Sequence, residues 1–233
     1  MSAIQTSKQE KNLLATGGLA GILGSVVFII VFIIVGVFVG EDPIELEAWL
    51  TRFPDIRTAR IFENGLYLLV LILWIPHTLA LYYTLKSRSL APALFGAAIT
   101  IGGLLIIAAG ALPHIATTQL SDLYYAADAT DVDQATIVLM WQGTWAIFDA
   151  LLIAGLAFIP FAFMNFGVAM RQHPDFGSIY SGLSFILGIL GFGAIGMSMV
   201  DPNSPVAAVV IFGMIIFHFV IGWKLIRLSR RTR

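Results

Sequence analysis

Charged residues disappear from this chain for long stretches and return in short clusters. The first uncharged stretch runs from Asn12 to Gly40, 29 residues. Five more follow, and the pattern predicts helices at about 13–39, 61–85, 91–113, 137–164, 177–200 and 205–226. Roughly 20 mainly apolar residues suffice for an α-helix to cross the hydrocarbon core of a bilayer. Only helices and closed barrels satisfy their backbone in lipid, and these runs are continuous rather than alternating. The predicted fold is an all-α, polytopic transmembrane helical bundle. It forms one membrane domain over residues 1–233, with six spans paired as three hairpins. The first run exceeds the roughly 7–15 residues of a signal-peptide core, so it reads as a span and not as a cleaved leader.

Composition agrees. The chain is 58% hydrophobic and 12% charged, about half the roughly 25% charge of a soluble domain. It has no cysteine, which excludes disulfides, thiolate metal sites and cysteine nucleophiles.

The distribution of charge predicts orientation. Ten basic residues, Lys8, Lys11, Lys86, Arg88, Arg171, Lys224, Arg227, Arg230, Arg231 and Arg233, fall at one set of helix ends. Only Arg52, Arg57 and Arg60 fall at the other. Lys and Arg accumulate on the cytoplasmic side of short loops, so both termini are expected in the cytoplasm and the protein in the plasma membrane. Eleven of the fourteen acids lie on the outer side, leaving charges of about 3 − 11 = −8 outside and 10 − 2 = +8 inside. The basic face should attract anionic headgroups.

Both long loops are then outside. In Gly40–Arg60, Asp42, Pro43 and Glu45 have the order of an N-cap, an N1 proline and an N3 acid. Leu46, Trp49 and Leu50 share one face after them, which predicts a short helix lying on the membrane surface with Trp49 at headgroup depth. Leu120, Leu123 and Tyr124 predict a second surface helix, and Asp128–Asp133 a turn that caps the fourth span. Glycines concentrate in the odd helices, where small residues let backbones approach. The even helices share similar ends, and His77 to Lys86 has the same spacing as His218 to Arg227. That pattern fits either a duplicated hairpin or chance likeness between apolar helices.

Few polar side chains fall inside the spans. Asp149 lies twelve residues past Ile137, roughly 18 Å in from the outer boundary at 1.5 Å per residue. Intramembrane charges are costly and usually face the bundle interior. Gln142 and Trp145 share its helix face. His218, thirteen residues past Pro205, is expected at a similar depth of roughly 20 Å. The pair reads either as a proton relay or as an inter-helix clamp. His77 lies deeper, on a face with Glu63, Tyr67, Trp74 and Thr78 that is expected to look inward. A satisfied core histidine is the plainer reading there. His114, after Pro113, has an interfacial role. Two histidines on facing helices also raise haem ligation, but there is no second pair and no attachment motif, so no cofactor is expected. Asp128, Asp131 and Asp133 lack the glycine and terminal glutamate of an EF-hand loop, so they read as caps and no metal is expected. The glycine runs follow no strand, so no dinucleotide site is implied.

Gly17-Gly18-Leu19-Ala20-Gly21-Ile22-Leu23, the six spans, Leu120–Asp128, and the segment from Trp141 through Asp149 to Met170 resemble a prokaryotic six-helix membrane family of unassigned function. The resemblance implies a multi-pass plasma-membrane protein and supplies no activity.

Three functions are compatible with these residues. The first is a non-catalytic membrane module that binds lipid or protein. The second is a small proton-coupled transporter using Asp149, His218 and His77. The third, placed last, is a lipid-modifying enzyme, for which no hydrolase or metal spacing exists. The expected partners are membrane lipids and a second copy or another membrane protein, with no nucleic acid.

Overall fold

The computed structural model describes residues 8–40, 43, 45–201 and 204–231. Every element among them is helical. Helix α1 spans Lys8–Ile34 and ends in a π-helical turn, Val35–Val39. It is followed by α2 (Leu46–Leu85), α3 (Leu90–Tyr124), α4 (Asp131–Arg171), α5 (Gly177–Val200) and α6 (Ala208–Ser229), the last entered through a 3-10 turn at Pro205–Ala207. All six helices are long and apolar enough to cross a membrane. Large aliphatic side chains such as Ile72, Leu105 and Ile189 are more than half exposed along their flanks. Soluble monomers rarely present so much apolar surface, so the protein suits a lipid surround.

The helices form a ring in chain order, with α6 closing on α1 and with α2, α4 and α6 also meeting across the centre. The pairs α1–α2, α3–α4 and α5–α6 are neighbours in this ring, and α2–α3, α4–α5 and α6–α1 pack together as well. Contact between α5 and α6 is the loosest in the ring, while α6 packs closely on α1. The reason is glycine. A Cβ at Gly18 would lie 2.7 Å from the Gly222 carbonyl oxygen, and one at Gly222 would lie 2.7 Å from that of Gly18. Backbones this close give extensive van der Waals contact, a main source of helix association in lipid. The other glycines divide. Gly17 and Gly24 pack on α2, while Gly96, Gly103, Gly110, Gly188 and Gly191 pack on or against α4. Gly102, Gly182, Gly193 and Gly196 face open space.

Helix lengths differ in a way that decides the architecture. α5 has 24 residues and α2 has 40, so α2 is longer by about 24 Å (40 − 24 residues at 1.5 Å each). α3 and α4, at 35 and 41 residues, are long too. Gly191 of α5 lies against the Pro160 ring of α4. These helices are antiparallel, so α5 ends at Val200 about level with Leu151, nine residues from each contact. The part of α4 before Leu151, with the matching parts of α2 and α3, therefore projects beyond α5.

The projection has its own core. Leu50 and Phe53 of α2, Leu120 and Tyr124 of α3, and Ile137 and Trp141 of α4 form a cluster separate from the main one. This corrects the expectation of two short surface helices. The segments are continuous with α2 and α3, because their apolar faces bury against each other and α4 instead of lying on a membrane. Of the predicted start, Asp42 and the side chain of Leu46 lie outside the described residues, and Glu45 immediately precedes α2. Polar bonds tie the projection together. Arg57 grips Asp122 with both guanidinium nitrogens, Tyr124 donates to Glu47 at 3.2 Å, and Gln134 donates to the Tyr124 carbonyl at 3.1 Å. The turn before α4 caps it, as its sequence predicts. Thr130 accepts from the Asp133 N–H, and its own N–H and hydroxyl donate to the Asp133 carboxylate. The Thr130 bonds hold that carboxyl below its usual range.

Candidate functional site

The predicted polar residues separate into two places. The first is a ring cluster inside the six-helix section. The Trp74 and His218 rings stack with centroids 4.2 Å apart and planes 14° apart. His77 meets His218 edge-on, with centroids at 4.9 Å. All three side chains are buried. Gly21 of α1 makes the room, because a Cβ there would collide with His77 Nδ1. The face expected to look inward does so at Trp74, His77 and Thr78, and Tyr67 packs edge-on to Phe28.

The Gly17 carbonyl lies 3.0 Å from His77 Nδ1. A carbonyl can only accept, so Nδ1–H donates and, in the neutral ring, Nε2 is a bare acceptor. His77 Nε2, His218 Nδ1 and Trp74 Nε1 have no hydrogen-bond partner. Nearby, the Ser25 hydroxyl sits 2.9 Å from the Gly21 carbonyl and 3.0 Å from that of Ile215, linking α1 to α6. The cluster therefore joins α1, α2 and α6. The two imidazoles touch, so a porphyrin cannot lie between them as bis-histidine ligation requires. Among the described residues no three His, Asp or Glu side chains converge as a metal site would need.

His218→Phe separates a packing role from a proton-carrying one. The phenyl ring keeps the stack on Trp74 and removes an unpartnered nitrogen. Replacing buried polar groups with apolar ones of similar shape is close to neutral. The expected outcome is a melting temperature in detergent within about 3 °C of wild type, a shift on the order of 1 kcal/mol or less. A larger loss would mean that the imidazole itself holds the helices.

The second place is a groove at the base of the projection, about 190 Å³ in volume, lined by Trp49, Trp141, Gln142, Trp145, Ala146 and Asp149. The shared face of Gln142, Trp145 and Asp149 is thus realised. Trp49 comes to it from α2, with ring centroids 4.6 Å from Trp145, and its indole N–H donates to the Pro43 carbonyl at 2.7 Å.

Beneath the groove lies a buried polar layer. The Arg60 guanidinium sits 5.9 Å from the centre of the Trp145 ring and donates to Glu63 at 2.9 Å. His114 Nδ1 lies 2.9 Å from the Asn64 side-chain oxygen, and its ring packs on Trp145 and Phe148 at 4.7 and 4.8 Å. His114 is buried, and it lies ten residues before the end of α3 (114 to 124) and not at its boundary. A signal for this exists in the chain. Gly103, Ile107, Gly110, His114, Thr117 and Ser121 recur at three- and four-residue spacing, and all are buried.

Asp149 and His218 do not share a level. Phe163 of α4 contacts Phe217 at 4.5 Å, and it lies fourteen residues past Asp149 (149 to 163), about 21 Å along the helix. Asp149 is exposed and His218 is buried. The midplane depth expected for Asp149 counts from Ile137 as the boundary. Because α4 begins at Asp131 and projects, Asp149 instead lies near the level where α5 ends.

No protein-family profile, curated protein or solved structure matches this chain. Its function rests on its own side chains.

Proposed function

We propose that the chain is a non-catalytic module of the plasma membrane that binds an ammonium-bearing lipid headgroup in the Asp149 groove. In this reading the basic end, with both termini, faces the cytoplasm and the projection stands outside.

One observation carries the reading. Three tryptophans, a carboxylate and an amide line one groove at the level where α5 ends. Indoles favour the headgroup zone of a bilayer. Their ring faces attract cations, most strongly quaternary ammonium groups. Asp149 adds charge, and Gln142 adds a hydrogen-bonding group. Arg60 already lies over one face of Trp145, an example of a cation held by one of these rings.

The test is native mass spectrometry of the protein released from nanodiscs holding equal phosphatidylcholine and phosphatidylglycerol. Wild type is expected to retain phosphatidylcholine. Asp149→Asn should lower that retention at least fivefold and leave the melting temperature unchanged. Equal retention by the variant would end this reading.

A second reading, a proton-coupled carrier, is favoured by the unpartnered nitrogens of His77 and His218. It requires proton flux in liposomes that His218→Phe abolishes, whereas the binding module keeps its lipid with that substitution.

A further inference from the structure

A second binding site follows from the opposite end of the bundle, where α5 begins and α6 ends. Lys224, Arg227, Arg230 and Arg231 line one concavity of about 440 Å³. The α6 dipole accounts for cations in the last turn of that helix. It does not account for Lys224, which is only 8% exposed.

The Lys224 ammonium lies 5.8 Å from the centre of the Phe176 ring and 5.1 Å from that of Tyr180. Ring faces offset part of the cost of burying a charge, but they supply no lone pair to its three N–H groups. Among the described residues, no carboxylate comes within ion-pairing distance of Lys224. Asp175, just before the start of α5, is paired with Arg231 at 2.6 Å. Among the described residues four cations line this concavity, and one of them, Arg231, has a carboxylate partner. Like charges gathered this closely repel unless an anion lies among them. Guanidinium forks match the oxygens of a phosphate in pairs, and a lysine ammonium adds a point charge.

We infer that this concavity binds a phosphate group, with Lys224 as its buried anchor and Arg227 and Arg230 as its rim. The phosphate comes either from an anionic lipid headgroup or from solution. The site is remote from the Asp149 groove and does not depend on it.

The test uses the full chain. In one arm, native mass spectrometry counts phosphatidylglycerol retained by protein released from nanodiscs of phosphatidylglycerol and phosphatidylcholine. In the other, inorganic phosphate is titrated against the protein in neutral detergent while its melting temperature is followed. Lys224→Gln is expected to lower phosphatidylglycerol retention, or the apparent phosphate affinity, at least tenfold. Arg230 is exposed, so Arg230→Gln is expected to fold as wild type does; it should lower binding about threefold and decides the matter if Lys224→Gln fails to fold. Arg88→Gln removes one positive charge from the same end away from the concavity and should leave binding unchanged. A response in the lipid arm alone assigns a headgroup, and a response to free phosphate alone assigns a soluble anion. If Arg88→Gln weakens binding as much as Arg230→Gln, or wild type responds in neither arm, the site does not exist.

Discussion

Gly18→Val is expected to lower stability by about 3 kcal/mol, the upper end of typical overpacking costs. A Cβ at position 18 meets the Gly222 carbonyl oxygen at 2.7 Å and the Ile226 backbone nitrogen at 3.0 Å. Both are backbone atoms, so no rotamer change relieves the clash and α6 must move away from α1. That movement also disturbs the Ser25 link to Ile215 and the seat of His218. Thermal unfolding in detergent measures the loss. Gly102→Val is the control, because nothing lies within 4 Å of its added carbon, and it should change stability by less than about 0.5 kcal/mol. Equal effects at the two positions would show that glycine acts through helix flexibility and not through the α1–α6 approach. Gly222→Val should match Gly18→Val, and the double variant should fall well short of the sum, since each substitution breaks the same contact.

Trp141→Ala should be as costly in the projection, by about 3–5 kcal/mol, the range for a buried aromatic truncated to alanine. Trp141 is buried edge-on to Phe53, with centroids 5.2 Å apart, and it is the largest side chain among the buried members of that small core. The projection and the six-helix section share helices but not a core. The damage should therefore stay local, as opening of a weakly held unit does. Hydrogen exchange is expected to speed up across 47–60, 115–124 and 131–145, while amides of α5 and α6 keep their protection. Uniform acceleration across all six helices would mean that the two cores unfold as one.

The consequences of each substitution trace how legible the protein is. Six long apolar helices, the cap at Thr130 and Asp133, and the shared face of Gln142, Trp145 and Asp149 are all readable along the chain. Each depends on neighbours within a few turns, through apolar length, a capping side chain or the 3.6-residue period. Charge marks where the apolar runs stop, and the sequence reading has the helices stop there too. They do not. α2 continues from Leu46 past Arg52, Arg57 and Arg60 without a break, because the charged turns hydrogen-bond their own backbone whether or not lipid surrounds them.

Everything that depends on which helices touch lay beyond one-dimensional reading. Helix order does not say that α6 sits closer to α1 than to α5, that His77 meets His218, or that Asp149 lies about 21 Å along α4 from the level of Phe217. Those relations come from side chains brought together across the ring: two glycines without a Cβ, an indole stacked on an imidazole, and a proline fitted against Gly191. The chain alone establishes six helices long and apolar enough to cross a membrane, and their polar faces, since local periodicity and apolar length suffice for that. The projection, the tryptophan groove and the concavity around Lys224 arise from packing between helices distant in sequence, where shape complementarity and not composition selects the neighbour.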